Sequence, residues 1–120
     1  MATTRRIDKY LYRHTCLLHG TSETQPHYEL WQQVGTELQT IGYILFYRHE
    51  SLTEIPESFV FGDGRVRLHL PISELPAIQH LFTHEAPIYL RSSATPVPGH
   101  HTPSNVFLAT GLEEPGDMDE

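Results

Sequence analysis

Cysteine is nearly absent from this chain of 120 residues, with Cys16 the sole example. That excludes an internal disulfide and a cysteine-based zinc site, and it fits a reducing compartment. Lysine is equally scarce, with Lys9 alone. A chain with so few lysines and an acidic end is a poor ligand for duplex nucleic acid, whose affinity rests on neutralised phosphates. No apolar run approaches the ~20 residues a membrane helix needs. The N-terminal residues MATTRRIDKYLYRH contain no long apolar stretch of the signal-peptide kind. The expectation is a cytoplasmic protein with no membrane association. A phosphate-cradling glycine loop, a G-x-S-x-G elbow and an H-E-x-x-H pair are all missing. The acids of the chain body are scattered, and only Glu50, Glu54 and Glu57 cluster, in what reads as a solvated loop. No catalytic residues and no cofactor are expected.

The formal net charge is −7, but five of the 15 acids fall within residues 113–120. The chain body, residues 1–112, is therefore close to neutral and reads as one domain, followed by an acidic, disordered tail. The 38% of apolar residues occur in periodic runs sufficient for a core.

Residues 9–19, KYLYRHTCLLH, read as a first strand. Pro26 suits the first turn of a helix, with Thr24 as a cap. Leu30, Trp31, Val34, Leu38 and Ile41 then recur at helical spacing, and Gly42 is placed to end that helix. Tyr43 to His49 is nearly continuous apolar and aromatic sequence and suits a central strand. Further on, Ser73 is a candidate cap for a second helix over 74–84, with Leu75, Ile78, Leu81 and Phe82 on its buried stripe. Pro76 is tolerable there only because it lies in the first turn. Residues 88–92, IYLRS, read as a strand, residues 92–104 as a proline-rich loop, and Asn105 to Gly111 as a last strand.

The segment FVFGDGRVRLH, from Phe59 to His69, reads as a hairpin around Asp63-Gly64, because a two-residue type I′ turn favours that dipeptide. That loop pairs Phe61 with Val66, Val60 with Arg67 and Phe59 with Leu68. Phe59, Phe61, Val66 and Leu68 then share one face, and Arg65, Arg67 and His69 share the other with Val60. Together the elements predict an α+β fold: a single-layer, mainly antiparallel sheet with two helices on one face. The order resembles the split βαβ, ferredoxin-like arrangement with an extra strand. The likeness concerns architecture and implies no activity.

Arg65, Arg67, His69, Tyr89 and Arg91, with Arg48 from the central strand, are expected on the sheet face that the helices leave uncovered. Arginine forks recognise phosphate or carboxylate, and tyrosine stacks on planar groups. An ordinary wet sheet face would also carry such residues. The reading placed first is a small non-catalytic binding module that uses this face to hold a protein partner or a second copy of itself. An alternative is a small anionic or nucleotide ligand on the same face, closed by the 92–104 loop.

Nine histidines raise a further alternative, a metal-dependent enzyme. His80 and His84 lie four residues apart on the second helix, and His100 or His101 would have to supply a third ligand. Exposed, non-ligating histidines are the simpler reading. His14 beside Cys16 suggests a thiol–base pair, but adjacent side chains on one strand face argue for a structural cysteine.

Overall fold

The computed structural model describes residues 3–13, 26–48 and 55–110. Nine strands and one α-helix are found among them. The strands are β1 (Thr3–Ile7), β2 (Lys9–Arg13), β3 (His27–Val34), β4 (Glu37–Tyr47), β5 (Phe59–Val60), β6 (Val66–Pro71), β7 (Ile88–Ser92), β8 (Thr102–Pro103) and β9 (Val106–Ala109). The helix, α1, is Leu75–His84, entered through a short 3₁₀ turn at Ile72–Glu74. The strands form two sheets, one of three strands ordered β1-β7-β9 and one of six ordered β2-β3-β4-β6-β5-β8.

This overturns the single-layer, two-helix expectation. The first expected helix is instead the β3–β4 hairpin, in which Val34 pairs with Glu37 across a Gly35-Thr36 loop. Gly35 has φ +63°, at the position that type II′ turns reserve for glycine. A β-bulge between Leu30 and Trp31 breaks the two-residue alternation. The helical stripe was imitated because Val34 and Leu38, near the hairpin tip, are apolar yet 46% and 43% exposed, and are not buried with Leu30 and Ile41. The first strand is β2, which ends at Arg13, and the rest of the expected 9–19 strand lies outside the described residues, as does the 113–120 tail. β1 was unforeseen, and β8 lies inside the expected 92–104 loop. The second helix is found at its expected place, with Pro76 in the first turn, although no side chain caps it.

The sheets pack face to face over one core. Ile7, Ile88 and Leu90 come from the smaller sheet, and Leu30, Ile44, Phe46, Val60, Val66 and Leu68 from the larger. Phe82 of α1 joins them and lies on Tyr28, with ring centres 4.9 Å apart. The smaller sheet and the helix thus share one face of the larger sheet. No described strand or helix covers its other face. Among the described residues no helix is long and apolar enough to cross a membrane.

Candidate functional site

The face of the larger sheet that points away from the smaller sheet is set by strand alternation and two pairings. β4 runs parallel to β6, placing Tyr43 opposite Arg67 and Leu45 opposite His69. β5 runs antiparallel to β6, placing Phe59 opposite Arg67 and Val60 opposite Val66. This register differs by one residue from the one a two-residue Asp-Gly loop implies. The loop has three residues, Gly62-Asp63-Gly64. The Gly64 N–H donates to the Phe61 carbonyl at 2.9 Å, the Phe61 N–H donates to the Arg65 carbonyl at 2.8 Å, and Gly64 has φ +94°. That is a β-turn followed by a left-handed glycine, the other common hairpin built on such a dipeptide.

The shift has a chemical consequence. Phe59 and Phe61 leave the core face and join Arg65, Arg67 and His69, while Val60 is buried in their place at 1% exposure. The Arg65 guanidinium lies over Phe61 at 4.8 Å from the ring centre, and that of Arg67 over Phe59 at 5.9 Å. Phe59 also stacks flat on His101, with centres 4.8 Å apart and planes 9° apart. An aromatic and cationic layer therefore stands where an ordinary wet face was the simple expectation.

The two arginines differ in their partners. Arg65 donates through Nε to Asp63 Oδ2 at 2.9 Å and through Nη1 to the Tyr43 hydroxyl at 3.2 Å. The Arg65 backbone N–H, first, holds the Asp63 carboxyl below its ordinary value; burial opposes it, and the Arg65 guanidinium adds to the lowering. Arg67 is half-buried and has no carboxylate or hydrogen-bond partner among the described residues. It lines a cleft of about 240 Å³ with His27, Tyr43, Leu45 and Phe61.

His69 is 8% exposed. Its Nδ1 lies 3.0 Å from the carbonyls of both Pro56 and Glu57. Carbonyls only accept, so the proton is on Nδ1, and Nε2 is the bare nitrogen. Nε2 is buried without a hydrogen-bond partner among the described residues. Burial, first, and the neighbouring Arg67 charge push the His69 pKa below its ordinary value, while the bonds to Pro56 and Glu57 oppose them. The neutral ring pins residues 56–58 over β6, helped by a bond from the His69 N–H to Ser58 Oγ at 3.0 Å.

A second concavity, an open bowl of about 450 Å³, adjoins the cleft across Phe61. Two turns build it. One is the β5–β6 loop. The other is Val97–His100, closed by His100 N–H to the Val97 carbonyl at 3.0 Å, with Pro98 and Gly99 (φ +81°) at its centre. Proline followed by a positive-φ glycine is the type II pattern. The turns meet closely: a methyl group on Gly62 would stand 2.7 Å from the Gly99 nitrogen.

The other expected site residues are dispersed. Tyr89 and Arg91 do point away from the core on β7, but on the smaller sheet, where Arg91 lies over Phe107 at 5.5 Å. Arg48 is exposed beyond the end of β4. His80 and His84 stack on α1 with ring centres 4.2 Å apart, and His84 Nδ1 bonds the His80 carbonyl. His100 and His101 stand at the bowl. Among the described residues, no group of three or more His, Cys, Asp or Glu side chains is disposed to hold a metal ion. His14, Cys16, Glu50 and Glu54 lie outside the described residues.

Leu45, Phe59, Phe61 and His27 were absent from the expected site. The two phenylalanines were legible only through the choice of loop length. The others needed the β3–β4 and β4–β6 pairings, which no local pattern encodes. Comparison with protein-family models, curated proteins and solved structures finds no match for the chain.

Proposed function

We propose that this protein is a small binding module that holds an anionic ligand, a carboxylate or phosphate, in the cleft beside Arg67. The observation that carries the reading is Arg67, a half-buried residue on a concave wall, without a counter-charge among the described residues. Partial burial makes an unpaired charge costly and an incoming anion correspondingly favourable. Phe61, Leu45 and Tyr43 would exclude water around the contact, and the cleft lies below the usual ~300–1,000 Å³ of drug-sized sites, so the anion is small. A flat protein partner gripping Arg65, Arg67, His69, Tyr89 and Arg91 together has less support, because those residues divide between the outer faces of two sheets. The reading assigns no reacting group.

Titration calorimetry with inorganic phosphate and with short carboxylates, at matched ionic strength, tests it. Binding to the wild-type protein, weakened about ten-fold or more in Arg67→Gln, is the expected result; a charge-assisted hydrogen bond is worth roughly 1.5–3 kcal/mol. Equal affinity in the two proteins, or no heat with any anion, would sink the reading.

A further inference from the structure

We infer that the cleft and the bowl are two halves of one site, and that the site takes a nucleoside monophosphate: phosphate on Arg67, planar base on His101. The inference rests on the anion reading above and adds the rest of the ligand.

Three observations support it. First, the halves are contiguous. Phe61 lines both, and the Arg65–Tyr43 hydrogen bond lies along their divide. Arg67 and His101 both contact Phe59, one at 5.9 Å and the other at 4.8 Å, which keeps them within reach of one small molecule.

Second, the bowl offers a stacking surface. His101 is exposed, and one face of its ring lies flat on Phe59. Phe61 approaches it edge-on at 4.9 Å, and no other ring or cation contacts it among the described residues. A flat, backed and accessible ring is the element on which bases stack, and such stacking tolerates any base. The stack on Phe59 and the pairing of the next residue, Thr102, with Val60 hold this ring in place without a ligand, so little ordering cost falls on binding.

Third, charge selects the number of phosphates. Arg65 is already neutralised by Asp63, whose carboxylate stands in the bowl. Among the described residues that line the two hollows, Arg67 is the cation left for the ligand; the Arg5 guanidinium lies beside Gly64 but lines neither hollow. A single phosphate matches it, whereas a triphosphate would bring uncompensated charge towards Asp63. The Asp63 oxygens each keep a lone pair beyond their bonds to Arg65 and can accept from sugar hydroxyls or a base amino group.

The test is titration calorimetry with inorganic phosphate, adenosine, adenosine 5′-monophosphate and adenosine 5′-triphosphate, on wild type, Arg67→Gln and His101→Ala. His101 is exposed, so its replacement leaves the core intact, and circular dichroism checks this. The monophosphate should bind about ten-fold or more tighter than inorganic phosphate, as one stacked base supplies, and tighter than the triphosphate. His101→Ala should remove that advantage and leave phosphate binding unchanged, while Arg67→Gln should weaken both. If phosphate binds through Arg67 but the monophosphate gains nothing over it, or keeps its gain in His101→Ala, the two-part site is overturned and the anion reading survives. A triphosphate bound as tightly as the monophosphate overturns the single-charge argument. No binding of phosphate or of the monophosphate overturns both readings.

Discussion

Gly42 tests the packing of the smaller sheet on the larger, which decides which face of the larger sheet carries the site. It lies on β4 opposite Val66 of β6, at the point where the smaller sheet presses on the larger. A methyl group added there would lie 2.7 Å from the Val66 carbonyl oxygen, 2.8 Å from Val66 Cγ2 and 3.1 Å from Leu90 Cδ2. The first is backbone held in the β4–β6 ladder, and the third belongs to the opposite sheet. Neither can swing aside as a surface side chain would. Overpacking of a tight core costs about 1–3 kcal/mol, and a clash with backbone belongs at the upper end. Glycine-to-alanine replacement returns about 0.4–1 kcal/mol through the unfolded chain. The net loss for Gly42→Ala is therefore about 2 kcal/mol, or a fall in Tm of about 8 °C for a chain of this size. Urea unfolding at 25 °C followed by circular dichroism measures it. Gly35→Ala is the contrast: nothing lies within 4 Å of a Cβ there, and only the φ of +63° opposes the change. A Gly42→Ala protein as stable as wild type would refute the close approach of Leu90 to β4, and with it the face-to-face packing of the sheets.

Two titrations carry further predictions. The folded His69 pKa lies below its ordinary value of 6.5, so its contribution to stability is present in full above pH 6.5 and is lost as pH falls through the lowered folded value. His69→Gln should cost about 1–3 kcal/mol at pH 8, the range for orphaned buried hydrogen-bonding groups, with the gap to wild type narrowing at pH 5. Urea midpoints at the two pH values decide this, and a gap that stays constant or widens in acid contradicts the neutral-ring assignment. The Tyr28 hydroxyl is pushed from 10.0 up to about 12 by burial, first, and then by Tyr10 and Tyr12. Its contribution is therefore intact below pH 10 and lost as pH rises towards 12. Absorbance at 295 nm should show Tyr28 ionising last, together with unfolding, after Tyr12, which burial also raises, and Tyr28→Phe should lack that last step; a full set of tyrosines titrating near pH 10 in the folded protein would be the contrary outcome.

What could be read from the sequence divides by the range of the forces involved. α1 was legible because Leu75, Ile78, Leu81 and Phe82 make a helical stripe that does not depend on distant partners. β7 was legible for the same local reason: Ile88 and Leu90 are buried, and Tyr89 and Arg91 are not. Which sheet β7 joins was not legible, because that depends on pairing with Thr3–Ile7, a segment whose single buried apolar residue is Ile7. The β3–β4 hairpin misled because Val34 and Leu38, apolar residues near its turn, are exposed. A Gly at position 35 in the middle of the supposed helix was the available warning, since glycine costs ~1 kcal/mol in a helix interior relative to alanine. For the site, alternation correctly grouped Arg65, Arg67 and His69. It misplaced Phe59 and Phe61 because Asp-Gly serves both two- and three-residue loops, and only the burial of Val60 distinguishes them.

That last ambiguity couples the site to the core. A single extra loop residue reverses which of Phe59, Val60 and Phe61 faces inward. With the three-residue loop, the small β-branched Val60 fills the space beneath β6, and two phenylalanines move to the face where Arg65 and Arg67 stand. With a two-residue loop both rings would enter a core that already closes over Gly42, and the arginines would be left on a polar surface. Gly64, with a φ of +94° that L side chains rarely adopt, suits either loop, and the hydrogen bond from the Phe61 N–H to the Arg65 carbonyl marks the longer one. The aromatic backing of Arg67 and the tight fit between the sheets are therefore two results of one turn. A well-packed core by itself requires that turn, and so keeps the aromatic backing of the cleft beside Arg67 in place.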